Sequence, residues 1–117
     1  ADRSFTAYLR ATFTPEQQVT GLGIEGIFDD GAVVYVNGKE VYRFNLSPDK
    51  DAARWDTLAD GPALGEDEPT SSTVQYGVIK GLDLPAGKPV HIAVSIHSSA
   101  ANNYDTLFSM RMYSLIP

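Results

Sequence analysis

The chain has 117 residues, 43% of them hydrophobic, a net charge of −6 and no cysteine. That is the size of one domain with one core, and it excludes disulfides, thiolate metal sites and a cysteine nucleophile. The acidic balance argues against nucleic acid and anionic membrane surfaces as partners, and no apolar run of roughly 20 residues is present to insert into a membrane as a helix.

Phe5, Ala7, Leu9, Ala11 and Phe13 alternate with Thr6, Tyr8, Arg10 and Thr12, the period-two pattern of a strand with one apolar face. Residues 14–18 read as a connection. Leu22, Ile24, Gly26 and Phe28 resume the alternation up to a tight bend at Asp29-Asp30-Gly31. Residues 33–43 read as a hairpin: Val33, Tyr35 and Val41 suit strands, and Asn37-Gly38 suits a type I′ turn, in which both central residues need φ > 0.

Residues 45–73 lose this pattern. Asp49, Asp51, Asp56, Asp60, Glu66, Asp67 and Glu68 make an acidic loop, Pro62, Gly65 and Pro69 rule out a long helix, and a short turn over 50–58 is compatible with the spacing. Loops of this length in a compact domain are commonly functional or mobile. A strand is expected over 74–79, and a further strand start with a turn over 82–87. The cleanest strand follows, with Val90, Ile92, Val94 and Ile96 alternating with His91, Ala93, Ser95 and His97. Residues 98–103 are a polar loop. Residues 105–116 close the chain as a strand with Phe108, Met110 and Met112 on one face. Seven or eight short strands without a helix predict an all-β fold, an antiparallel β-sandwich of jelly-roll type.

The order of these features also carries a resemblance: an Asp-Asp-Gly bend, a Val-Val-Tyr-Val-Asn-Gly hairpin, an Arg, a long loop, Leu-Pro-Ala-Gly, an aliphatic strand ending in His, a Ser/Asn-rich loop, an Asp and a last apolar strand. It resembles the galactose-binding-like β-sandwich modules attached to secreted bacterial enzymes and surface proteins, over residues 5–115. Asp30, Gly31, Tyr35, Asn37, Gly38, Arg43, Gly87, His97 and Asp105 stand at the positions that carry the likeness. Pro89 departs from the Asn usual before the His strand, and a strand start tolerates proline. The resemblance implies a single module over 1–117, cut from a larger multidomain protein that is secreted or held at the cell surface. The fold itself hosts sugar-binding modules, protein-binding modules and spacers.

The candidate ligand-binding residues fall into three groups. Trp55, the single tryptophan, lies in the acidic loop between Arg54 and Asp56. A flat aromatic matches the C–H face of a sugar ring; the competing reading has Trp55 plugging the loop onto the sandwich. Asp30, Arg43, His97 and Asp105 form a second group. His97 is in phase with Ala93 and Ser95, so it faces away from the aliphatic side, over small residues that could floor a shallow groove. An Arg fork and Asp carboxylates suit vicinal hydroxyls; the competing reading is a structural network tying the hairpin to the last strands. Asn103 and Tyr104 end the polar loop and would add an amide and an aromatic.

No cofactor is expected. The acidic loop has oxygen ligands for a structural Ca²⁺, but it lacks EF-hand spacing and places Lys50 between Asp49 and Asp51, so a solvated loop is the plainer expectation. His91 and His97 are six residues apart on one strand, about 20 Å, too far to share a zinc ion. Catalysis has little support. Asp29 and Asp30 point to opposite sides of an extended chain, no Gly-x-Ser-x-Gly elbow occurs, and Ser98, His97 and Asp105 at one strand end do not aim at each other as a triad must. The expectation is therefore a non-enzymatic carbohydrate-binding module with a polysaccharide or oligosaccharide and neighbouring domains of its parent chain as partners. The alternative is a structural or protein-interaction β-sandwich with no sugar site.

Overall fold

The computed structural model describes residues 6–28, 31–51, 58–59, 75–97 and 108–116, with the backbone alone for Thr6, Ala7, Phe28, Phe108 and Ser109. Among them are seven strands and no helix: β1 (Thr6–Phe13), β2 (Val19–Phe28), β3 (Gly31–Val36), β4 (Lys39–Phe44), β5 (Gln75–Leu84), β6 (Val90–His97) and β7 (Phe108–Leu115). They form two antiparallel sheets, a four-stranded one in the order β1-β6-β3-β4 and a three-stranded one in the order β5-β2-β7. The architecture is an all-β sandwich. The chain changes sheet at every connection except the β3–β4 hairpin.

The period-two patterns decide which side of each strand is buried. Val90, Ile92, Val94 and Ile96 of β6 pack against Ala32, Val34 and Val36 of β3, and against Leu22 and Ile24 of β2 and Ile79 of β5 from the other sheet. Burying each such aliphatic side chain is worth about 1.5–3 kcal/mol, and these strands are where most of that burial occurs. Tyr42 of β4 lies on the same inner side. Its ring covers Gly77 of β5 so closely that a Cβ there would stand 2.6 Å from Cε1.

The hairpin forms as its residues require. Asn37 and Gly38 take φ of 51° and 84°, the left-handed values of the turn. Asn37 also locks the turn to β6: its N–H donates to the His91 carbonyl at 2.8 Å, and its Oδ1 accepts the His91 N–H at 2.9 Å. One boundary differs from the sequence pattern. Residues 75–84 form a single strand instead of a strand and a fresh start at 82. Gly81 absorbs the irregularity with φ of 75°, and the β2–β5 register shifts between Val19 and Gly21. Such a bulge lets pairing resume without ending the strand. Pro89 stands immediately before β6, where no ladder hydrogen bond is lost.

Among the described residues the two sheets are unequal, four strands against three. Leu9 and Ala11 of β1 are in register with Val94 and Ile92 and so belong to the inner side, yet Leu9 is 40% exposed. A cavity of about 310 Å³, lined by Phe13, Leu22, Ile92, Met110 and Met112 among others, opens between β1 and β7.

Candidate functional site

Of the candidate ligand-binding residues, Arg43 and His97 lie within the described structure; Asp30, Trp55, Asn103, Tyr104 and Asp105 lie outside the described residues. Arg43 projects from β4 on the outer side of the four-stranded sheet. Its Nε and Nη2 donate to the Glu40 carboxylate at 3.0 and 2.7 Å, and its Nη1 donates to the Ser47 and Lys50 carbonyls at 2.6 and 3.0 Å. The hydrogen bond to Glu40, ahead of the opposing effect of burial, raises the guanidinium pKa further. Four of its five N–H groups are thus committed inside the protein. The residue works as a clamp between β4 and the chain that follows. Lys50 continues the clamp by donating from Nζ to the Leu58 carbonyl at 2.8 Å.

That clamp explains what became of the groove expected over Ala93, Ser95 and His97. The chain after β4 folds back, and Leu46 and Ala59 cluster with Val33 and Tyr35 on the outer side of the sheet. Ala59 sits so close to Gly31 that a Cβ there would meet it at 2.9 Å, and Gly31 is the register partner of His97. Ser95 and His97 are 1% and 0% exposed. Ser95 Oγ and His97 Nε2 are hydrogen-bonded at 2.9 Å, with the direction set by the ring tautomer, and the Tyr35 hydroxyl joins Ser95. Burial, the larger effect, keeps the Tyr35 phenol above its ordinary pKa despite that hydrogen bond. Apolar residues of the returning chain cover the neighbouring β3 part of this side. The row Tyr35–Ser95–His97, half-buried at Tyr35 and buried at Ser95 and His97, is internal structure.

The exposed, chemically distinctive surface lies elsewhere, on the outer side of the three-stranded sheet. Pairing of β2 with β5 and β7 sets three rows across it: Lys80–Gly21–Leu115, Val78–Gly23–Tyr113 and Tyr76–Glu25–Arg111. Tyr76, Val78 and Tyr113 are 70%, 60% and 45% exposed. The central strand offers glycine at two of its outward positions, and Tyr113 uses this. A Cβ on Gly23 would stand 2.1 Å from Tyr113 Cε2 and 2.6 Å from Cδ2, so the ring covers the bare glycine backbone. Such cross-strand cover is how an aromatic compensates a glycine in a sheet. One side of the ring rests on the protein while the residue remains open to solvent. Tyr76 lies two strands away and two residues along, about 12 Å by strand spacing and rise. One pyranose does not bridge that span, whereas a short oligosaccharide does. Glu25 stands between Tyr76 and Arg111, so aromatic and hydrogen-bonding groups alternate.

Sequence reasoning leaves Tyr76 and Tyr113 unassigned. A signal was present: Tyr76, Val78 and Lys80 are out of phase with Ile79, and Arg111 and Tyr113 are out of phase with Met110 and Met112. Only long-range pairing brings both sets beside the glycines of β2. Among the described residues, no three His, Asp or Glu side chains cluster to hold a metal ion, and no helix is long and apolar enough to cross a membrane. Compared with known proteins, the chain matches no family model, no curated protein and no solved structure.

Proposed function

We propose that this chain is a non-catalytic carbohydrate-binding module, a jelly-roll sandwich of galactose-binding-like type that targets a secreted bacterial protein to a polysaccharide. The observation that carries the reading is the Tyr113 ring, supported on Gly23 from below and accessible from above. A ring held in this way has lost its freedom before a ligand arrives, so stacking a sugar on it orders little else. Tyr76 adds a second aromatic surface, and Glu25, Arg111 and Lys80 add donors and acceptors for hydroxyls. The jelly-roll assignment rests on the repeated crossing between sheets. Affinity is modest on this reading, since each hydroxyl contact replaces one with water and nets about 1 kcal/mol.

The test is a glycan array followed by titration of any hit against Tyr113→Ala, Tyr76→Ala and Trp55→Ala. Losing a stacked ring removes about 1–1.5 kcal/mol, roughly tenfold in affinity. The expected result is such a loss in both tyrosine variants with unchanged melting. A loss confined to Trp55→Ala would move the site to the long loop, and an array without hits would end the sugar reading.

A second reading, a protein-interaction module, is favoured by one observation. The apolar opening between β1 and β7 is flanked by two strands that, among the described residues, each pair on one side only, and an added strand from a neighbouring domain would cover it.

A further inference from the structure

We infer that the sugar taken by the Tyr76–Tyr113 face is anionic, a uronate-bearing chain with one carboxylate received by Arg111, and with Lys80, about 17 Å away by strand spacing and rise, placed for the carboxylate of another sugar residue. The inference rests on the sugar reading of the same face. In the three rows across the sheet, Lys80 and Arg111 are exposed and Glu25 is half-buried, two cations against one carboxylate. The whole chain carries −6, whereas these three rows carry one net positive charge; Asp83, exposed farther along the same side of β5, accepts from Gln18 Nε2 at 2.9 Å. Among the described residues, neither the Lys80 nor the Arg111 side chain is held in an ion pair or hydrogen bond. Arg43 shows the contrast, with its fork closed on Glu40.

Position adds to charge. Arg111 and Tyr113 are two residues apart on β7 and share the outer side, about 7 Å along the strand. A sugar stacked on Tyr113 therefore brings its own or its neighbour's ring substituent to the guanidinium. A carboxylate fits that fork with two parallel hydrogen bonds, which a hydroxyl does not. The net charge of −6 repels an anion from afar. Salt limits that repulsion to about 8 Å at physiological ionic strength, so the local cations decide once contact is made.

The experiment uses sodium alginate oligomers, the same oligomers with their carboxylates reduced to alcohols, and dextran sulfate, titrated against the whole chain and against Arg111→Gln, Lys80→Gln and Tyr113→Ala. The expected result is binding of alginate at least tenfold tighter than of the reduced oligomers, with Arg111→Gln abolishing that preference and Tyr113→Ala weakening both. Thermal melting of the exposed-site variants checks that folding is intact; should Arg111→Gln not fold, the alginate-to-reduced ratio of the native chain decides. Equal binding of native and reduced oligomers, both lost in Tyr113→Ala, would overturn the charge assignment and leave the sugar reading standing. Preference for dextran sulfate through the same residues would overturn the carboxylate. Absence of binding to all three, with an array also blank, would remove both readings.

Discussion

Asn37 concentrates two demands in one side chain. It must hold a left-handed φ of 51°, and its Oδ1 must accept from His91 N–H at 2.9 Å. Left-handed backbone costs a residue without a local polar side chain about 1–2 kcal/mol, and the hydrogen bond is worth about 1 kcal/mol. Asn37→Ala should therefore destabilise the domain by about 2 kcal/mol, whereas Asn37→Gly, which tolerates the φ, should cost about 1 kcal/mol. Urea melts of the two variants measure the difference. Equal losses would mean that the turn conformation carries no strain. Tyr113 illustrates the opposite case at this scale: its ring is placed by the absence of a side chain on Gly23.

The strand β4 and the chain after it behave as one element joined by Arg43. The guanidinium reaches the Ser47 and Lys50 carbonyls, and the Lys50 amide in turn donates to the Ser47 carbonyl at 3.0 Å. Arg43→Met keeps the aliphatic stem and removes the donors. It should speed hydrogen exchange at the Lys50 amide about tenfold, equivalent to about 1.4 kcal/mol of local stability, while the β6 amides, which lie in the central ladders, keep their protection. Equal acceleration in β6 would show that the clamp holds the whole sandwich and not the returning segment alone. The loss of the groove belongs to this scale too. Ala93, Ser95 and His97 predict a shallow face, and beside it Leu46 and Ala59 pack on Val33 and Tyr35, where Arg43 and Lys50 hold the returning chain.

For the whole molecule, two phenols link folding to pH. Burial raises Tyr42 above its ordinary value of 10.0, and it raises Tyr35 in the same direction. The folded state therefore holds these protons more tightly than the unfolded chain does. Below pH 10 both states are protonated and stability is unaffected; as pH rises through the folded values, the unfolded chain releases its protons first and stability falls. Denaturation midpoints should be level on the neutral side and decline above about pH 10, and Tyr42→Phe, which keeps the ring over Gly77, should flatten part of that decline. A decline unchanged by Tyr42→Phe would assign it to other groups. Among the described residues the sandwich is also lopsided, since a four-stranded sheet faces a three-stranded one, and the exposure of Leu9 and the cavity beside β7 accompany that inequality.

Most of the strands, the Asn37-Gly38 turn and the aliphatic side of β6 were legible along the chain, because each depends on residues close in sequence: alternation at period two and a dipeptide that tolerates positive φ; the continuity of β5 through Gly81 was not. The sequence by itself also determined the all-β class through the number of such strands. Apart from the β3–β4 hairpin, the neighbours of each strand, and hence the surfaces made of several strands, follow from long-range pairing. His97, expected in a groove, is interior at the end of β6 between β1 and β3, and Tyr76 and Tyr113 became two sides of one surface because β2 pairs between β5 and β7. Register between distant strands is a property of how two sheets bury their inner sides together, and no local pattern encodes it.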